Sequence, residues 1–253
     1  MKITLLGTGT SQGVPVIGCE CAVCQSMDYR DKRLRVSVYI ELDGKSFVID
    51  TGPDFRQQML RERINRLNAV LLTHSHKDHI AGLDDVRAFN YLQQRDMPVY
   101  GLKQTLEQVL SEFYYAFEKE KYPGTPQIQL NEIDNSDFIV EGVKFTPLPI
   151  LHMGMPVLGF RVGDFSYITD ANFIPDQTYE RLKGTKYLIV NALQKENHPS
   201  HFTLAEATEV AKKIGAPKTY FTHISHKLGL HKVIEKELPE FVALGYDGLS
   251  FTL

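Results

Sequence analysis

Short apolar runs recur along this chain, and most are closed by glycine, aspartate or histidine. Runs of that length between turn residues read as strands rather than helices. Residues 2–6 predict a first strand that ends in Gly7-Thr8-Gly9-Thr10. Residues 36–42 alternate Val36, Val38 and Ile40 with Ser37, Tyr39 and Glu41, the period of a strand. Asp43-Gly44 joins them as a tight hairpin to residues 46–50. Further strands are predicted at 69–72, 98–101, 128–130, 138–140, 143–148, 157–162 and 165–169, with 247–253 closing the chain.

Helical spacing appears between these runs. Residues 104–118 bring Leu106, Val109, Leu110, Phe113 and Phe117 to one face. Tyr114, Tyr115 and Tyr122 surround that stripe, which suits core packing, a cover over a site, or a homodimer surface. Thr203 followed by Glu206 is a capping box ahead of Ala207, Val210, Ala211 and Ile214. Helices are also predicted from Pro53 to about residue 63, from Gly82 to Tyr91, and over 231–238. Each half of the chain holds several strands followed by helices. That echo favours an α/β fold with two sheets face to face and helices outside, a four-layer αββα sandwich.

Composition narrows the class. A chain of 253 residues suits one large domain spanning 1–253. With net charge −3 there is no global basic field, so nothing argues for an extended nucleic-acid partner, although a local basic groove stays open. No run has the length of a membrane span, and the apolar start is too short for a signal-peptide core. The expectation is a cytoplasmic protein with no membrane partner. The three cysteines, an odd number, crowd into residues 19–24 and make a poor disulfide framework.

The chemistry gathers at the exit of the 69–72 run, in Thr73-His74-Ser75-His76-Lys77-Asp78-His79. In the extended part His74 and His76 point the same way, and Asp78 and His79 point elsewhere as the chain turns toward a helix. Neutral imidazoles and a carboxylate suit zinc, manganese or iron. His152, Asp170 and His223 each follow another apolar strand. Taken together they complete a two-metal inventory, with His74, His76 and His152 on one ion, Asp78, His79 and His223 on the other, and Asp170 bridging. A hydroxide between two such ions would be the nucleophile. Asp50 ends a neighbouring strand and suits either a carboxylate behind a ligand or a turn residue. The Gly7-Thr8-Gly9 turn lacks the full pattern of a dinucleotide loop, so no such cofactor is expected.

Cys19, Cys21 and Cys24 have the spacing of a structural zinc site that lacks a fourth ligand. His226 is preferred for that place over His231, which starts the predicted final helix. His201 lies just before the capping box, where a helix N-terminus favours anions. It suits a donor to a phosphate oxygen or an acid for a leaving alkoxide, and equally a capping-loop histidine. His198 reads as structural or surface.

The set His74, His76, Asp78, His79, His152, Asp170 and His223 resembles the metallo-β-lactamase superfamily over nearly the whole chain. A closer resemblance is to the PhnP-type phosphodiesterases, which act on phosphoribosyl 1,2-cyclic phosphate. It is carried by Asp50-Thr51-Gly52-Pro53-Asp54-Phe55-Arg56, by Cys19, Cys21 and Cys24 with His226, and by His201. The resemblance implies the αββα sandwich, two catalytic divalent metals with Asp78 essential among their ligands, one structural zinc, a catalytic His201, and a small, cyclic phosphodiester as substrate. The alternatives are a ribonuclease Z-like nuclease, although no long Gly/Pro/Lys-rich arm is present, and a non-catalytic metal-binding protein.

Overall fold

The computed structural model describes residues 1–253. The first six strands, β1 (Lys2–Gly7), β2 (Ser37–Leu42), β3 (Lys45–Ile49), β4 (Ala69–Leu71), β5 (Met97–Gly101) and β6 (Ile128–Glu132), lie in one sheet. The next seven, β7 (Phe138–Val140), β8 (Val143–His152), β9 (Met155–Val162), β10 (Phe165–Tyr167), β11 (Tyr187–Asn191), β12 (Lys218–Thr222) and β13 (Val242–Leu244), form the second. The last strand, β14 (Ser250–Thr252), returns to the first sheet beside β1. In each sheet one half is antiparallel and the other parallel, running β3 to β6 and β10 to β13. The helices are α1 (Phe55–Arg61), α2 (Lys77–Ile80), α3 (Arg87–Gln93), α4 (Lys103–Glu112), α5 (Asp176–Leu182), α6 (Leu204–Ile214) and α7 (His231–Ile234).

Strand alternation sorts the apolar residues into three layers. Ile3, Leu5, Phe47, Ile49 and Leu71 of the first sheet meet Phe145, Phe160, Phe165 and Ile189 of the second. The intervening Val48, Val70 and Leu72 turn outward and pack on Met59, Phe89, Leu106 and Val109 of the helices. Leu188 and Val190 do the same on the far side against Ala207, Val210 and Ala211. Strands buried on both faces need continuous apolar runs, which is why residues 69–72 and 188–190 carry no polar position. The result is the αββα sandwich. The hairpin pairs Ile40 with Phe47 and Val38 with Ile49, and both Asp43 (φ 49°) and Gly44 (φ 72°) are left-handed, as its tight turn requires.

Four elements depart from the sequence pattern. α4 stops at Glu112, and a 3-10 turn at Tyr114–Ala116 redirects the chain; within the helix Leu106 and Val109 are buried while Leu110 is 47% exposed. β8 continues through Pro147 and Pro149 to His152. Its partner β7 covers only its start, so beyond Phe145 those prolines need no amide for a second neighbour. The final helix is one turn, His231–Ile234, followed by a 3-10 turn, and the three-residue β13 after it gave no recognisable pattern.

No helix is long and apolar enough to cross a membrane. The parallel strands of both sheets open their C-terminal ends at one edge, and the loops above that edge carry the histidines. The inter-sheet packing is testable at Phe47, which is fully buried with its ring edge-on to Phe145 at 5.1 Å. Phe47→Ala should cost about 3–5 kcal/mol of stability in urea unfolding; a loss under about 1 kcal/mol would contradict this core.

Candidate metal centre and active site

Asp50 is the first polar group past β3, fully buried and held at φ 66°. Its carboxylate accepts the Thr73 backbone N–H at 2.8 Å and the Thr73 hydroxyl at 2.9 Å. It also accepts the His79 Nδ1–H at 2.7 Å. The Thr73 hydroxyl has one hydrogen, which goes to Asp50, so its oxygen accepts from His74 Nδ1 at 3.0 Å. One carboxylate therefore fixes the ring tautomer of two histidines and leaves each with a bare Nε2.

The segment after Asp50 seats α2. Thr51 N–H donates to the His79 carbonyl at 2.7 Å, and Gly82 N–H to the Thr51 carbonyl at 2.8 Å. A Cβ on Gly52 would land inside the Asp78 carbonyl, and one on Gly82 inside the Gly52 carbonyl. Only glycine allows these backbones to meet.

Asp170 and His223 occupy equivalent corners past β10 and β12, both at φ 55°. Left-handed backbone at Asp50, Asp170 and His223 costs of order 1–3 kcal/mol each, a cost tolerated at functional corners. Asp170 Oδ2 lies 3.2 Å from His79 Nε2, and its Oδ1 3.1 Å from His223 Nε2. Asp78 Oδ2 is 3.3 Å from His79 Nε2 and 3.8 Å from His223 Nε2. One ligand atom from each of these four residues lies within 4.8 Å of the others.

On the other side, the His74 ring is 4.5 Å from that of His76 and 5.8 Å from that of His152, and His76 and His152 are 5.2 Å apart. His152 Nδ1–H donates to the Ser200 carbonyl at 2.8 Å, so its Nε2 is also bare. His152, Asp170 and His201 form a second group within 4.8 Å, and Asp170 is common to both groups. The His201 ring lies between His152 (4.7 Å) and His223 (4.6 Å), with its Nδ1 3.9 Å from Asp170 Oδ1.

The donor set fits divalent ions. His74 Nε2, His79 Nε2 and both ring nitrogens of His223 are buried without a hydrogen-bond partner. Orphaned buried nitrogens are costly unless a ligand takes their lone pairs. In the metal-free protein, protons stand in for the ions. Burial opposes charge on His79, but Asp170, Asp50 and Asp78 together hold it well above the ordinary histidine range. The same balance of burial against Asp170 and Asp78 raises His223 to about 9. Asp170 stays far below the usual carboxylate range because His223 and His79 outweigh its burial. Burial, then the His79 charge, lowers His74, and burial with His223 lowers His201 to about 3.

A second cluster lies apart. His226 Nδ1 is 3.3 Å from Cys19 Sγ, 3.4 Å from Cys21 Sγ and 3.6 Å from Cys24 Sγ. The Cys24 backbone N–H helps lower the Cys21 thiol to about 6, whereas burial raises Cys24 to about 11. His231 is elsewhere, its Nδ1 3.1 Å from the guanidinium of buried Arg33. Sequence reasoning passed over Asn172, whose side chain accepts the Met153 N–H at 2.8 Å and donates to the Pro199 carbonyl at 3.0 Å. A lone asparagine two residues past Asp170 carries no pattern that announces this.

A sequence model described as a beta-lactamase superfamily domain matches residues 45–224. A crystal structure of a diphosphatase from the PhnP family is similar at 42% identity with a TM-score of 0.93, covering 99% of this chain and 96% of that one. An octanoyltransferase of Porphyromonas gingivalis is 42% identical over 99% of this chain, which spans only 51% of that relative's length. A ribonuclease Z of a Mycobacterium species is 27% identical over 88% of this chain and 84% of its own.

The charge balance gives a pH dependence. His223 keeps its proton to about pH 9 without metal, and an incoming ion must displace it. Metal uptake at neutral pH should release protons, and affinity should climb from roughly pH 6.5 toward pH 9. Calorimetric zinc titrations in buffers of different ionisation enthalpy measure both; a flat affinity across that range would exclude this ligand set.

Proposed function

Because the chain belongs to the metallo-β-lactamase superfamily, and within it to the PhnP family, we propose that it is a metal-dependent phosphodiesterase acting on a small phosphodiester. Residues 1–253 are taken as one hydrolase domain. His74, His76 and His152 would hold one ion, Asp78, His79 and His223 a second, and Asp170 would span both. Zinc, manganese and iron all suit these donors. When bound, two such ions supply Lewis acidity and lower the pKa of a water enough to make it a nucleophile near neutrality.

The chain's own residues do the rest. Asp50 keeps His79 and His74 in the tautomers that leave Nε2 free. Ser200 does the same for His152. The observation that carries the reading is His201, seated between the His152 and His223 rings and beside Asp170. From there it hydrogen-bonds a phosphoryl oxygen or passes a proton to the leaving oxygen. Acyl-transfer chemistry has less use for such a group. Cys19, Cys21, Cys24 and His226 would hold a structural zinc. The substrate we favour is a cyclic phosphodiester of the phosphoribosyl type, in line with the sequence resemblance; the similar PhnP-family structure is itself described as a diphosphatase.

A substrate panel with added manganese or zinc tests this. It should compare an aryl phosphodiester, ribose 1,2-cyclic phosphate esters, 2′,3′-cyclic nucleotides and precursor tRNA. Small diesters should turn over. Preference for precursor tRNA would replace the reading with a nuclease, and metal uptake with no turnover would replace it with a binding protein. His201→Ala should lower kcat by about 10²-fold, the usual scale for acid–base or oxyanion help, with metal content unchanged. Cys21→Ser should lose one zinc per chain by metal analysis while the other ions stay; an unchanged count would remove the cysteine site.

A further inference from the structure

The Gly7-Thr8-Gly9-Thr10 turn has no part in the arrangement above. It runs between the two sheets at the edge that carries the histidines. On one side, Gly9 N–H donates to the Leu34 carbonyl at 2.8 Å, and the Gly9 carbonyl accepts the Val36 N–H at 3.1 Å, on the approach to β2. On the other, the Thr8 carbonyl accepts the Ile224 N–H at 2.8 Å, and Thr10 N–H donates to the Ile224 carbonyl at 3.2 Å. The turn is thus a backbone bridge from the first sheet to the residue directly after His223. A Cβ on Gly7 would fall on the Arg35 carbonyl, so only glycine lets the chain enter this gap.

The Thr8 side chain is fully buried and keys the bridge in place. Its hydroxyl donates to Asp247 Oδ1 at 2.8 Å and accepts from Arg33 Nη1 at 2.8 Å. Arg33 is itself buried; the same Nη1 donates to the Gly245 carbonyl at 2.6 Å, and its Nη2 lies 3.1 Å from His231 Nδ1. Asp247 Oδ2 accepts the Leu34 N–H at 2.7 Å and lies 3.3 Å from Arg61 Nη1. One hydroxyl therefore stands between a guanidinium and a carboxylate. Only a group that donates and accepts at once can do so.

His223 needs such support. Its backbone is held at φ 55°, and both its ring nitrogens lack a hydrogen-bond partner. No protein group orients this ring as Asp50 orients His79 or the Ser200 carbonyl orients His152. Its direction is set by the backbone alone. Ser225 N–H fixes the chain further on, at 3.0 Å from the Leu193 carbonyl, and the bonds from Thr8 and Thr10 act on the residue next to the ligand.

We infer that Thr8 is a positioning residue for His223: its hydroxyl, held between Arg33 and Asp247, seats the bridge that aims the imidazole at the ion shared with Asp78 and His79. This rests on the ligand assignment proposed above and extends it to a buried residue outside the ligand set.

Thr8→Val keeps the side-chain shape and removes the hydroxyl, whereas Thr8→Ser keeps the hydroxyl. Cobalt titrations read the sites apart, the cysteine site by its thiolate charge-transfer band and the histidine site by its visible d–d bands. In Thr8→Val one of the two ions at the histidine site should bind about tenfold or more weakly, with the other ion and the cysteine site unchanged. Thr8→Ser should restore that step. A lower Tm with every binding step as in the unaltered protein, or an equal weakening of all of them, would make Thr8 a packing residue and overturn the inference while the ligand assignment stands. If the unaltered protein takes up no pair of ions at the histidine site, both fall. Should Thr8→Val not fold, Asp247→Asn decides: its amide has one acceptor oxygen for the Thr8 and Leu34 hydrogens, and the same ion should bind more weakly, an unchanged affinity again overturning the inference.

Discussion

The buried carboxylate of Asp50 is the constraint on which the site depends. It is fully buried behind His74 and His79, yet it decides which nitrogen of His79 and, through Thr73, of His74 carries a hydrogen. A wrong tautomer on either ring would point an N–H where a lone pair is needed. Asp50 adopts a left-handed backbone to reach this place, and the next residues, through Gly52 and Gly82, press the strand exit flush against α2. Backbone strain, close glycine packing and ligand orientation are thus aspects of a single junction between β3 and the turn after β4.

Around that junction the two sheets contribute unequally. The first supplies a contiguous block, residues 74–79, whose geometry is local. The second supplies single side chains, His152, Asp170 and His223, each at the end of a different strand. Asp170 belongs to both groups of close donor atoms, so it is the point where the two contributions meet. His201 and His198 arrive on the loop ahead of α6, whose start is fixed by the reciprocal Thr203–Glu206 cap. Rigid elements therefore position the loop that bears these two imidazoles.

Much of this was legible in the chain. Alternation found most strands, the Asp43-Gly44 turn found its hairpin, and the places of His152, Asp170 and His223 after apolar strands brought the scattered donors into one set, which the family resemblance matched. The misses have physical causes. The strand predicted at 143–148 runs on to His152, because Pro149 lies where β8 has a single partner, and pairing is not visible in the sequence. The helix predicted over 104–118 ends at Glu112, although Phe113 and Phe117 beyond it still pack on the same core as Leu106 and Val109. His198, read as structural or surface, accepts the Ser200 N–H at 3.4 Å within its own loop, which fits that reading.

The dispersal of the donors has a consequence for assembly. His74 and His223 stand on opposite sheets, and nearly the whole chain separates β1 from its partner β14. Closing loops of that length is entropically expensive, so the donor cluster can exist only after both sheets have docked. An ion held across it would then act as a cross-link between the halves of the sandwich. It would bind the native fold and not the open chain, and by mass action each would support the other. The catalytic centre is in this sense also a rivet: the part of the molecule that forms last is the part that locks the rest.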